Sequence, residues 1–131
     1  MRPSGRALLD TNIVIALFAG EPSTLDCLQR KSEAFLCVPV LGELRYGALS
    51  SSRVEQNLVR LDEFSRSITT LGCDRQTVVL YASVKHHLRQ KGRPIPENDV
   101  WIAAIACQYK LTLVTRDTHF QQIEDLDLEL L

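Results

Sequence analysis

What most constrains this chain is an alternation. Short runs of leucine, isoleucine, valine and alanine, each too brief for a helix, are separated by longer stretches whose apolar residues recur at helical spacing. The runs lie at 7–9, 35–38, 68–71 and 111–114; short, mostly apolar and broken only by threonine, they predict buried strands. Between them Val54, Leu58, Leu61 and Phe64 fall at i, i+4, i+7 and i+10, and Val78, Tyr81, Val84 and Leu88 make a second stripe. Each stripe predicts an amphipathic helix. Pro39 suits the first turn of a third, and VWIAAIAC, apolar all round, predicts a helix buried on every side. At the end of the chain Leu126, Leu128 and Leu130 alternate with Asp127 and Glu129, the pattern of a strand with one covered face at a sheet edge. Strands alternating with helices predict an α/β fold with a mostly parallel sheet and right-handed crossovers. At 131 residues the chain reads as one domain, 1–131, with 92–98 as a loop inside it.

The balance of 15 basic against 16 acidic residues excludes binding to nucleic acid by bulk positive charge alone. If a cation neutralised four of the acids, twelve would face fifteen bases, and a mild attraction for phosphate would remain. Cys27, Cys37, Cys73 and Cys107 are scattered, with no C-x-x-C pair, and read as buried reduced thiols. The start, MRPSGR, lacks the apolar run of a secretion leader, and no segment reaches membrane-spanning length, so a cytoplasmic location is expected.

In a sheet of this kind strands end, and helices begin, on the edge where ligands bind. Asp10 closes the first strand and Asp117 follows the run LTLVT, while Asp99 stands at the start of a helix and Glu43 in the early turns of the one opened by Pro39. All four map to one edge. Each has an ordinary explanation: Asp10 as a helix cap, Asp99 as a first-turn acid, Glu43 as an exposed helix acid, Asp117 as a turn former. Together they are harder to explain away. Two unit charges about 4 Å apart repel by roughly 4 kcal/mol at an effective dielectric near 20, against a whole-domain stability of about 5–15 kcal/mol. The cluster must hold protons or a cation, and an all-oxygen set suits Mg²⁺ or Mn²⁺. Asn12 and Thr115 bring an amide and a hydroxyl to the same edge, suited to orienting a carboxylate. Position alone also admits Asp74 and Glu97. Gly42 and Gly47 flank Glu43 within a helix, either for close packing or to leave room for a substrate. The basic run at 85–93 reads as a solvated helix end, with Arg45 and Arg116 better placed for phosphate because each neighbours a candidate acid; His86, His87 and His119 read as surface histidines.

Four strings, ALLDTNIVI, VPVLGELRYGAL, PENDVWIAAIA and LTLVTRDTHF, resemble in order and spacing the conserved blocks of PIN-domain nucleases, and most nearly the VapC-type ribonuclease toxins of bacterial toxin–antitoxin pairs. The resemblance runs from 7 to 130. It implies a three-layer fold around a five-stranded, mostly parallel sheet, dependence on Mg²⁺ or Mn²⁺, a homodimer, and inhibition by a cognate antitoxin whose tail enters the site. The family's acids carry over as Asp10, Glu43, Asp99 and Asp117, with Asn12 and Thr115 as polar neighbours, and Asp74 and Glu97 fall outside its pattern. On this footing Asp10 and Asp99 bind the principal ion, while Glu43 and Asp117 complete a second ion's shell or hold the attacking water. Cleavage would leave 5′-phosphate and 3′-hydroxyl ends, on structured RNA such as transfer RNA.

Three other readings share some of these features. A haloacid-dehalogenase-like phosphatase needs a second acid two positions after the first, where Asn12 stands; a receiver domain needs a lysine after a late strand, which LTLVTRDT lacks. A silent PIN-like scaffold that binds RNA or protein without cutting would not need all four acids.

Overall fold

In a computed structural model of the protein, residues 5–131 are described; the reading of the N-terminus falls partly on 1–4, outside those residues. Among them five strands form one sheet: β1 (Arg6–Leu9), β2 (Glu33–Cys37), β3 (Thr69–Leu71), β4 (Thr112–Thr115) and β5 (Leu128–Leu130). Their order is β3-β2-β1-β4-β5, and every pairing is parallel. The helices are α1 (Thr11–Phe18), α2 (Pro22–Gln29), α3 (Val38–Leu49), α4 (Val54–Arg66), α5 (Arg75–Gln90) and α6 (Glu97–Tyr109), with a 3-10 turn at Thr118–Gln122.

The central strands show no inward–outward alternation because both faces are covered. Ala7, Leu8 and Leu9 of β1 and Leu113 and Val114 of β4 are buried, and with Ile102, Ala103, Ile105 and Ala106 of α6 they form the centre of the core, while Thr112 and Thr115 at the ends of β4 are buried polar residues. Lys110, the one described non-glycine residue with positive φ, at 55°, ends α6, and Leu111 N donates to the Ala106 carbonyl at 2.9 Å as the chain drops into β4. The stack of Tyr81 on Trp101, with ring centroids 3.8 Å apart, joins α5 to α6. Asp74 at the start of α5 meets Gln108 at the end of α6, and Lys85 near the end of α5 meets Glu97 at the start of α6, so the two helices run antiparallel.

Several local expectations are revised. Val38 belongs to α3 rather than the second strand, because the helix starts there with Pro39 in its first turn. Glu97 and Asn98 likewise belong to α6 and not to the loop. The covered stripe of α5 runs through Thr77, Tyr81, Val84 and Leu88; Val78, one position on, faces solvent. Strand β5 is an edge as expected, but Leu130 is exposed while Glu129 is half-buried, drawn inward by Lys31 and by the Cys27 thiol of α2. Helix α2 was not anticipated. All four cysteines are free thiols, and Cys73 is exposed rather than buried.

Candidate active site

The strand order locates the site. From β1 the chain moves outward to β2 and β3, then returns to β4 on the other side of β1 and moves outward again to β5. The connections after β1 and β4 therefore diverge and open a crevice at their carboxyl ends, where an α/β sheet binds ligands. Asp10 stands there, its N–H donating to the Val114 carbonyl of β4 at 3.0 Å.

Asp10 is only 3% exposed. Its Oδ1 accepts from the Thr11 N–H at 2.8 Å, which caps α1, and its Oδ2 accepts from the Thr115 hydroxyl at 2.6 Å. The cap and the site acid are one residue, so the two readings of Asp10 do not compete. Thr115 Oγ1 in turn accepts from the Asp117 N–H at 3.0 Å. Asn12 spans the crevice: its Nδ2 lies 3.3 Å from Asp10 Oδ2 and 3.3 Å from Asp117 Oδ2, and its Oδ1 accepts from the Arg116 N–H at 3.1 Å. Asn12 and Thr115 thus hold the strand-end acids in place.

Asp99, in the first turn of α6, points at the same crevice. Its Oδ2 lies 2.7 Å from His119 Nε2, which is also 4.0 Å from Asp117 Oδ2, and Asp99, Asp117 and His119 each offer one donor atom within 4.8 Å of the others. His119 was expected at the surface and instead sits among the acids, half-buried; the only sequence sign was its place two residues after Asp117. Glu43, on the second turn of α3, is coupled to the group through space: Asp10 and Asp99 both raise its pKa.

Burial, first of all, pushes Asp10, Glu43 and Asp99 above the usual carboxylate range, and the acids raise one another further. Thr115 and Thr11 pull Asp10 back down, Asn98 does the same for Glu43, and His119 for Asp99. Glu43 Oε1 and Thr11 Oγ1 are buried and neither makes a well-formed hydrogen bond, although the Thr11 side chain lies close enough to Glu43 to pull its pKa down. Clustered carboxylates carrying raised pKa values, a buried carboxylate oxygen without a well-formed hydrogen bond and one imidazole fit a divalent cation of hard or borderline character.

Other candidates are engaged elsewhere. Asp74 forms a capping box with Thr77 and accepts from Gln108 at 2.8 Å; Gln108 lies nine residues along α6 from Asp99, about 13 Å at the helical rise. Glu97 pairs with Lys85 and accepts from Tyr81. Arg116 makes a two-pronged ion pair with Glu21, at 2.8 and 3.3 Å, and Arg45 lies 3.5 Å from Asp62. Within the basic run Lys91 is held by Glu124 and the Gln122 carbonyl. An added Cβ at Gly42 or Gly47 would meet nothing within 4 Å, so close packing does not explain either glycine. Gly47 and Glu43 instead line a cleft of about 390 Å³ between α1, α3 and α4, whose other walls include Ile15, Phe18, Leu44 and Leu61.

Residues 7–126 match the PIN domain family model. Ribonuclease VapC2 of Rickettsia felis is 32% identical over 127 residues, 93% of this chain and 95% of that protein. The tRNA(fMet)-specific endonuclease VapC of Shigella flexneri is 30% identical, over 93% of this chain and 95% of its own length. The crystal structure of VapBC2 from Rickettsia felis bound to a promoter DNA fragment superposes with a TM-score of 0.89 at 30% identity, over 96% of this chain and 98% of the matched one.

Proposed function

The chain belongs to the PIN-domain family, among the VapC ribonucleases, and from that premise we propose that it is the toxin of a toxin–antitoxin pair, an endoribonuclease that uses Mg²⁺ or Mn²⁺ to hydrolyse RNA phosphodiester bonds. The observation that carries the reading is the convergence of acids on the β1/β4 crevice: Asp99 and Asp117 have donor atoms within 4.8 Å of each other and of His119, Asp10 is tied to Asp117 through Asn12 and Thr115, and Glu43 is coupled to Asp10 and Asp99 by charge.

Asp10 and Asp99 hold the principal ion, with Glu43 and Asp117 completing the shell or holding water. A divalent cation bound there supplies Lewis-acid chemistry, acidifying water and offsetting charge that develops on the phosphoryl oxygens. The rest is the work of the chain. Thr115 and Asn12 fix the Asp10 and Asp117 carboxylates so that little reorganisation accompanies binding. Glu43 Oε1, buried and without a well-formed hydrogen bond, is the acceptor for a hydrogen bond from the attacking water. Arg116 and Arg45 contact substrate phosphates; their present ion pairs are exposed, and such pairs contribute only about 0–1 kcal/mol, so a phosphate can replace Glu21 or Asp62.

The substrate is structured RNA, with transfer RNA the first to test given the name of the Shigella relative. The partner is a cognate antitoxin, supported by likeness to VapBC complexes and by the apolar cleft that leads to Glu43. Exposed Val38, Tyr46 and Leu49 on α3 and Val78 and Val79 on α5 support a homodimer. The chain acts as one PIN domain over 1–131, in the cytoplasm; no helix among the described residues is long and apolar enough to cross a membrane.

The test is incubation with total cellular RNA, with and without EDTA, followed by mapping of the ends. Discrete cuts with 5′-phosphate and 3′-hydroxyl ends are expected, abolished by EDTA and by Asp10→Asn. Undiminished cleavage by folded Asp10→Asn protein would sink the assignment.

A further inference from the structure

One contact in the crevice is left unused by this reading, that of His119. We propose that His119 is a nitrogen ligand of the same ion, which makes the site a mixed carboxylate and imidazole centre that holds Mn²⁺ in preference to Mg²⁺. The inference rests on the cation-dependent reading of the acids and adds to it both a ligand and a selectivity.

The donor separations also fit a shared ion. Around an octahedral ion with bonds of about 2.1 Å, adjacent donors lie about 3.0 Å apart and opposite donors about 4.2 Å. His119 Nε2 is 2.7 Å from Asp99 Oδ2 and 4.0 Å from Asp117 Oδ2, near those two separations. Asp99, Asp117 and His119 each offer one donor atom within 4.8 Å of the others.

The ring is also held in place. His119 lies in the 3-10 turn that directly follows Asp117, so one short segment after β4 delivers both donors. Its ring packs against that of Phe120, with centroids 4.8 Å apart, and Phe120 is fully buried in the core. His86 and His87 differ: they sit on exposed turns of α5, where His87 Nδ1 meets the Ser83 carbonyl. Ligation uses the tautomer that carries its proton on Nδ1, leaving the Nε2 lone pair for the ion.

Selectivity follows from donor chemistry. Mg²⁺ is a hard ion that favours oxygen ligands and retains its waters, whereas imidazole suits first-row transition ions. An ion that shares Asp99 with His119 is therefore better matched by Mn²⁺.

The experiment is pulsed electron paramagnetic resonance of Mn²⁺ added to the metal-free full chain, grown with natural-abundance histidine or with ¹⁵N-labelled histidine. A directly coordinated nitrogen signal is expected, changing from ¹⁴N to ¹⁵N with the label, lost in His119→Gln and kept in His86→Gln. In competition titrations His119→Gln should lose about tenfold or more of its Mn²⁺ affinity and much less of its Mg²⁺ affinity. Bound Mn²⁺ with no nitrogen coupling in the unsubstituted protein would overturn the inference, leave the acidic reading intact and reduce His119 to a hydrogen-bond donor to Asp99. Failure of the protein to bind Mn²⁺ at all would overturn both readings. The labelled unsubstituted protein decides the matter even if His119→Gln does not fold.

Discussion

Thr115 shows how much one hydroxyl can organise. Its Oγ1 donates to Asp10 Oδ2 and accepts from the Asp117 N–H in a place with no access to water. Thr115→Val keeps the shape and removes both bonds, leaving polar groups unmatched at a cost of about 1–3 kcal/mol. It should lower the denaturation midpoint and weaken Mg²⁺ or Mn²⁺ binding by roughly 10–100-fold, as loss of a group that orients a metal ligand does. Calorimetric titration of the folded variant checks this, and parent-like affinity would mean that Thr115 is only a packing residue. At this scale the sequence was legible for Asp10, Asn12, Asp99, Thr115 and Asp117, whose positions follow from strand and helix ends. It was not legible for His119, because its meeting with Asp99 joins α6 to the turn after β4, and residue spacing carries no trace of such a contact.

Helix α3 poses a question of its own, since Gly42 and Gly47 weaken it by about 1 kcal/mol each relative to alanine. Neither is required by packing, as a Cβ at either position would be in open space. Gly42→Ala and Gly47→Ala should therefore each raise unfolding free energy by about 1 kcal/mol. If the glycines leave room beside Glu43 and in the adjoining cleft, Gly47→Ala should also reduce RNA cleavage or antitoxin binding; a variant more stable and fully active in both assays would refute that role. Helical periodicity identified α4 and the covered interior of α6 correctly, because an amphipathic stripe or an all-apolar run is a local property. It misplaced the α5 stripe by one residue, where buried Thr77 replaces exposed Val78. The capping box of Asp74 with Thr77, and the pairing of Thr77 with Gln108 of α6, turned that face inward, outweighing the apolarity of valine.

For the molecule as a whole, the acid cluster predicts a particular dependence on pH. Asp10, Glu43 and Asp99 have pKa values raised by folding, so their contribution to stability is present at low pH and is lost as pH rises through the folded values. Glu129 and Asp74 are shifted down, chiefly by Lys31 and by the Thr77 N–H respectively, and oppose this with stability that is lost as pH falls below about 4.5. The metal-free protein should therefore be most stable at mildly acidic pH. Asp10→Asn should flatten the decline toward neutrality, and saturating Mg²⁺ or Mn²⁺ should raise the melting temperature at pH 7 in the parent far more than in the variant. Differential scanning calorimetry across pH 4–8 reads all three, and a metal-free stability that climbs steadily to pH 8 would contradict the coupling of the acids. The sequence by itself determined the strand and helix types, the parallel α/β class and the edge to which the four acids belong, because periodicity and element ends are written in residues close together along the chain. Only the tertiary structure decided that β1 and β4 are neighbours, that His119 joins Asp99 and Asp117, that Glu43 Oε1 is buried without a well-formed hydrogen bond and that Arg116 rests on Glu21. Those are contacts between elements distant in the chain, settled by how helices and strands pack rather than by how each one forms.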